Sequence, residues 1–113
     1  ESKERAWNGV TVEMNRAARV YARLFIARCF HHQVSTSPPS VRPVLTDLLL
    51  LFLHYECVDM THHLLQDGYC TREQTEFLKQ EMYADLAKIR PNAVALVDAF
   101  DHSDRLLNSV LGR

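Results

Sequence analysis

The sequence predicts an all-α fold, an antiparallel helical bundle of about four helices forming one domain over residues 1–113. Three observations support this. Apolar residues recur at three- and four-residue steps through long segments. The 3 Gly and 4 Pro leave those segments long and uninterrupted, with the loops between them short. No stretch alternates polar and β-branched residues for long enough to make a strand.

The first helix is expected over about 3–30, where Trp7, Val10, Met14, Ala17, Tyr21 and Leu24 share one face. Val12, Val20, Ile26 and Phe30 lie elsewhere around it, so its second half is apolar on more than one side. The run Ser35-Thr36-Ser37-Pro38-Pro39-Ser40 reads as a loop. Ser40 is the expected N-cap of the second helix, about 41–66, with Pro43 in its first turn. Its stripe is Val44, Leu48, Leu51, Tyr55, Val58, His62 and Leu65, and Asp67-Gly68 closes it. Thr71-Arg72-Glu73-Gln74 matches a capping box and opens the third helix, about 72–89, with the stripe Leu78, Met82, Leu86 and Ile89. Pro91 ends or kinks it. A fourth helix, about 92–111, carries Ala93, Leu96, Val97, Phe100, Leu107 and Leu111, with Asp101-His102-Ser103 as its weak point and Gly112 as its cap.

With 47% hydrophobic residues the chain is no disordered tail, and a net charge of −1 gives no bulk attraction to a nucleic-acid polymer. The apolar run Val44–Leu53 is far shorter than the ~20 residues of a membrane span. No signal peptide is recognisable, and without an initiating Met the chain reads as a piece of something longer. Cys29, Cys57 and Cys70 are odd in number and widely spaced, so they read as reduced thiols, each a small buried hydrophobe.

Arg16, Arg19 and Arg23 fall within about a 60° wedge of the first helix. They are candidate contacts for an anion, such as a phosphate of CoA or a nucleotide, or for acidic groups across an interface, because guanidinium forks onto either. A solvated face is the plainer reading, with Glu13 pairing with Arg16. His54, Glu56, Asp59, His62 and His63 share one helix but form no H-E-x-x-H, so no metal site is assigned. His62 is expected as a hydrogen-bonded core residue, His63 as a partner of Asp59, and His31-His32 as a cap at a helix end. Local pairs are expected from Asp98 to His102 and from Asp101 to Arg105. Asp104 falls on the apolar seam with Phe100 and Leu107 and is the candidate buried structural acid, tied to an arginine or to the Asp101–Ser103 turn.

Ala6-Trp7-Asn8 at the start of the first helix, and Arg90-Pro91-Asn92-Ala93-Val94-Ala95-Leu96-Val97-Asp98-Ala99-Phe100-Asp101 followed by Val110-Leu111-Gly112-Arg113, resemble the C-terminal helical domain of the peroxisomal acyl-CoA oxidases. The resemblance implies a parent enzyme that holds FAD and desaturates a fatty acyl-CoA to the trans-2-enoyl thioester, reducing O2 to H2O2 in peroxisomal β-oxidation. It implies a homodimer, and as partners of this stretch the preceding oxidase domains and the second subunit. The family's catalytic base is a glutamate followed by glycine, upstream of this domain. None of Glu1, Glu4, Glu13, Glu56, Glu73, Glu76 and Glu81 precedes a glycine. No catalytic or cofactor-binding residue is therefore carried over, and the stretch alone is expected to bind no FAD.

Helices one and two present more apolar surface than four helices cover mutually, which marks an interface. The expected role is structural, bracing the dimer and the flavin-site wall, and the chain expressed alone should self-associate. The rival reading is a freestanding helical module that binds a partner protein through the same faces.

Overall fold

The computed structural model describes residues 2–107, and of Asp104 the backbone only. Among the described residues all regular structure is helical. The order is α1 (Lys3–Gly9), α2 (Thr11–Thr36), α3 (Arg42–Asp59), α4 (Thr61–Gln66), α5 (Arg72–Ile89), a 3-10 turn (Arg90–Asn92), α6 (Ala93–Asp98) and α7 (Asp104–Leu107). The all-α expectation holds.

Several boundaries move, each for a local reason. The expected first helix is divided at Val10, whose φ of −119° leaves the helical region. The Thr11 hydroxyl donates to the Trp7 carbonyl at 3.0 Å, one of the side-chain bonds that compete with regular helix. At its other end the helix does not stop at Phe30 but continues to Thr36. Ser35 and Thr36 turn their hydroxyls back onto the carbonyls of His31 and His32, at 2.8 and 3.1 Å, and so stay inside the helix. His31 and His32 therefore sit within α2 and cap nothing.

Ser40 is not the N-cap of α3. Val41 holds that position without a side-chain bond, because a turn closes first, from the amides of Val41 and Arg42 onto the Pro38 carbonyl. The Arg42 guanidinium then reaches back to the Ser37 carbonyl, with Nη2 at 2.6 Å, and so ties the start of α3 to the end of α2. The expected second helix bends at Met60, φ −94° and ψ 10°, and continues as α4.

Gly68 ends α4 in the left-handed region at φ 70°. Tyr69 donates to Leu64 at 2.9 Å and Gly68 to Leu65 at 3.2 Å, the paired bonds of a Schellman stop. The capping box of α5 is complete: Gln74 N–H to Thr71 Oγ1 at 3.2 Å, and Thr71 N–H to Gln74 Oε1 at 2.8 Å. The expected fourth helix is shorter than 92–111, since α6 ends at Asp98 and Asp101 takes a left-handed φ of 50°. The expected positions of Leu111 and of the Gly112 cap lie outside the described residues.

The most extensive contact is α3 against α5, followed by α2 against α3. Leu49, Thr75, Asp85 and Ile89 are buried in α3 and α5, and Val34 near the end of α2. Phe30 of α2 meets Phe52 of α3 with ring centroids 6.1 Å apart. Beyond this the chain is open. Its radius of gyration is 18.8 Å, against about 13 Å for a compact domain of this length. Every residue from Ser2 to Ala22 is exposed, so α1 and the first half of α2 form an arm that leaves the α3–α5 pair.

Candidate functional site

Arg16, Arg19 and Arg23 line one groove, as their helical spacing predicts. Its opposite wall is the bend between α3 and α4, with Asp59, Met60, His62 and His63, and its volume is about 480 Å³. The three guanidiniums are not equivalent. Arg23 is fully engaged, with Nη2 2.9 Å from Asp59 and Nε 3.0 Å from Glu56. The Glu56 contact is a charge contact rather than an aligned hydrogen bond, since Glu56 Oε2 is shielded from water without a hydrogen-bond partner. Arg16 meets Asp67 of the α4 end loosely, at 3.6 Å, rather than Glu13. Arg19 makes no ion pair among the described residues.

The histidines opposite correct their expectations. His62 is exposed rather than in a core, and its ring lies 3.6 Å from that of His63. His63 does not pair with Asp59, and its Nδ1 is shielded from water without a hydrogen-bond partner. Shielding of the ring, then the positive charge of Arg16 and the neighbouring His62 ring, push the His63 pKa below its ordinary 6.5, while Asp67 opposes them. The cysteines are less buried than expected: Cys29 is exposed, and Cys57 and Cys70 are half-buried. Burial, and then proximity to Cys70 and Glu56, push the Cys57 thiol above its ordinary pKa, which keeps it protonated and unreactive.

The buried acid is Asp85, 1% exposed. His54 Nδ1 of α3 lies 2.7 Å from its Oδ2, and Lys88 Nζ 3.3 Å from its Oδ1. Asp85 joins the two helices at the centre of the fold. The sequence signal was present: Thr75, Leu78, Met82, Asp85 and Ile89 follow the spacing of a single face. The stripe drawn through Leu86 missed it, and Leu86 is 47% exposed. The side chain of Asp104, the expected buried acid, lies outside what the structure describes. The expected pairs Asp98–His102 and Asp101–Arg105 do not form; His102 stacks instead on Phe100, with centroids 5.8 Å apart.

An exposed apolar surface runs along the arm. Trp7, Val10 and Met14 line one shallow depression, and Ala17, Val20, Tyr21 and Leu24 line the next. Phe25 and Ile26 extend it, 59% and 52% exposed.

The described residues form an open all-α unit whose apolar arm is uncovered. Residues 1–113 match the family described as acyl-CoA oxidase, and the chain belongs to that family. It is 43% identical to acyl-coenzyme A oxidase acox-1.1 of Caenorhabditis elegans, covering 100% of this chain and 17% of that protein. It is 36% identical to peroxisomal acyl-coenzyme A oxidase 1 of Rattus norvegicus, again over 100% of this chain and 17% of the relative. The fold is similar to that of C. elegans acyl-CoA oxidase-1 in complex with FAD and ATP, with a TM-score of 0.89 at 43% identity, over 100% of this chain and 18% of that one. It is also similar to C. elegans acyl-CoA oxidase-2 bound with FAD, ascaroside-CoA and ATP, with a TM-score of 0.88 at 46% identity, over 100% and 17%. The chain thus spans about a sixth of the length of the curated relatives it matches.

Proposed function

We propose that the chain is the C-terminal helical part of a peroxisomal, FAD-dependent acyl-CoA oxidase. The parent enzyme converts a fatty acyl-CoA to the trans-2-enoyl-CoA and reduces O2 to H2O2 in fatty acid β-oxidation. The role of residues 1–113 is structural: their apolar arm braces the preceding domains and the second subunit of a homodimer. The observation that carries this reading is the match to acyl-CoA oxidases over the whole chain at 43% identity. The exposed stripe from Trp7 to Ile26 fits the bracing role, because apolar surface on this scale is stable in water only when protein covers it.

These residues do not fit a flavin site of their own. The groove beside α2 is open, is walled by guanidinium, imidazole and carboxylate groups, and balances its charges internally. None of the glutamates precedes a glycine, so the base that removes the substrate α-proton is assigned to the rest of the parent. The flavin, bound there, supplies hydride acceptance and reoxidation by O2. Residues 1–113 contribute packing that holds the neighbouring domain in place and keeps water from its apolar side.

The test is made in the full-length parent. Acyl-CoA-dependent H2O2 release, flavin content and dimer fraction are measured with and without the paired substitution Tyr21→Asp and Leu24→Asp. Both charges fall on the exposed apolar arm, so dimer fraction and flavin content should drop together, with activity per bound flavin kept. A parent that shows no acyl-CoA-dependent H2O2 release, or a substituted enzyme that keeps its dimer and its flavin, would reject the proposal.

A further inference from the structure

The groove holds one guanidinium, that of Arg19, which makes no ion pair among the described residues. Arg19 sits at the edge of the arginine wedge, about 60° round the helix from Arg16 and about 40° from Arg23. The carboxylates of the α3–α4 wall reach those two and not Arg19. We infer that Arg19 seats an acidic side chain from the part of the parent chain outside residues 1–113, in an arginine–carboxylate contact that locks the arm in place. The inference rests on the bracing reading and names the polar contact beside its apolar one.

Three observations favour a carboxylate over a phosphate ligand. The groove already sets Glu56, Asp59 and Asp67 against its three arginines, so it has no surplus positive charge with which to hold a polyphosphate. Asp59 lies in the wall itself and would repel a multiply charged phosphate more strongly than a single carboxylate. His63, one of the two imidazoles on the opposite wall, is held toward its neutral form. A single carboxylate needs only the fork of Arg19, the same chemistry that Arg23 already displays with Asp59 at 2.9 Å. The source is the rest of the parent because about five-sixths of the relatives' length lies outside this chain. Val12 and Val20, which line the groove with Arg19, are 77% and 42% exposed and also lack a cover.

The test uses the full-length parent carrying Arg19→Lys, treated with a zero-length carbodiimide that joins an amine to a carboxylate in direct contact. The expected product links position 19 to an Asp or Glu outside residues 1–113, and Arg19→Ala should speed amide exchange across Thr11–Tyr21 about tenfold. Titration of Arg19→Ala and of the unaltered parent with inorganic pyrophosphate should give the same stoichiometry. A link only to Asp59 or Asp67, or no link while those amides are protected in the parent, would overturn this inference and leave the bracing role standing. Amides that exchange freely in the parent would remove both. Loss of one pyrophosphate per chain on Arg19→Ala would replace the carboxylate with a phosphate ligand.

Discussion

The α3–α5 pair and the α1–α2 arm are built from similar amounts of apolar sequence and end in opposite conditions. In the pair, Leu49 and Ile89 pack between helices that also share a buried carboxylate, Asp85, with its partners His54 and Lys88. In the arm, Trp7, Tyr21, Leu24 and Phe25 are 58%, 69%, 44% and 59% exposed. The difference teaches where stability resides. The pair is held by contacts within the chain, whereas the arm's apolar side chains stay uncovered among the described residues and, on the proposed bracing role, would be stabilised only against other protein.

The strongest way to break that contrast is to place charge in each region. Tyr21→Asp with Leu24→Asp should shift the unfolding free energy of the 113-residue chain by no more than about 0.5 kcal/mol, since neither side chain is buried there. The same pair should abolish assembly of the full-length parent, read by sedimentation. Equal destabilisation in both settings would show that the arm is packed within the chain. In the pair, Asp85→Ala should cost roughly 2–3 kcal/mol in both settings, because it leaves His54 without its buried partner and opens space beneath α3. His54 and Lys88 keep a route to water, with side chains 24% and 54% exposed, so the cost stays at the lower end for a broken buried pair. Asp85→Leu, which fills the space, should cost less than Asp85→Ala in chemical denaturation. Both variants lose the ion contact equally, so the reverse order would mean that the site is too tight for the larger side chain.

What the sequence revealed divides along a physical line. The Thr71–Gln74 capping box and the Gly68 stop were legible because each is closed by backbone and side-chain groups within six residues of one another. The arginine groove was legible as a stripe, because helical spacing fixes which side chains share a face. Which arginine makes no ion pair among the described residues was not legible, since that depends on where Asp59 and Asp67 arrive from another helix. Asp85 was missed for a related reason. A stripe drawn through apolar residues alone skips a carboxylate, and only the arrival of His54, 31 positions away in sequence, makes its burial tolerable. The bends at Val10 and Met60 turn on single hydroxyls, Thr11 and Thr61, bonding back to carbonyls four residues earlier.

Smaller changes sharpen the contrast at the junction of the two regions. Gly68→Ala forces a Cβ into the left-handed region at φ 70°, although nothing stands within 4 Å of the added carbon. The cost is therefore backbone strain alone, about 1 kcal/mol. Thr71→Ala, three residues on, removes the side-chain acceptor for the Gln74 amide and should cost a similar amount, about 1 kcal/mol. Both should lower the melting temperature of the chain and of the parent alike, because the α4–α5 turn fixes the start of α5 within the pair. An effect confined to the parent would place this turn in the interface as well.

The smallest expected effect is a pH dependence at the groove. In the unfolded chain His63 takes up a proton near its ordinary pKa of 6.5, whereas in the fold shielding and then Arg16 and His62 oppose that proton. Where the folded pKa is the lower one, the unfolded state binds more protons as pH falls, so stability is retained above 6.5 and declines below it. His63→Gln keeps a polar side chain of similar reach but takes up no proton. The melting temperature of that variant should fall less between roughly pH 7 and pH 5 than that of the unaltered chain. Identical slopes would show that the α4 wall does not hold Arg16 against His63 in solution, and that the arm swings away from the pair until the rest of the parent fixes it.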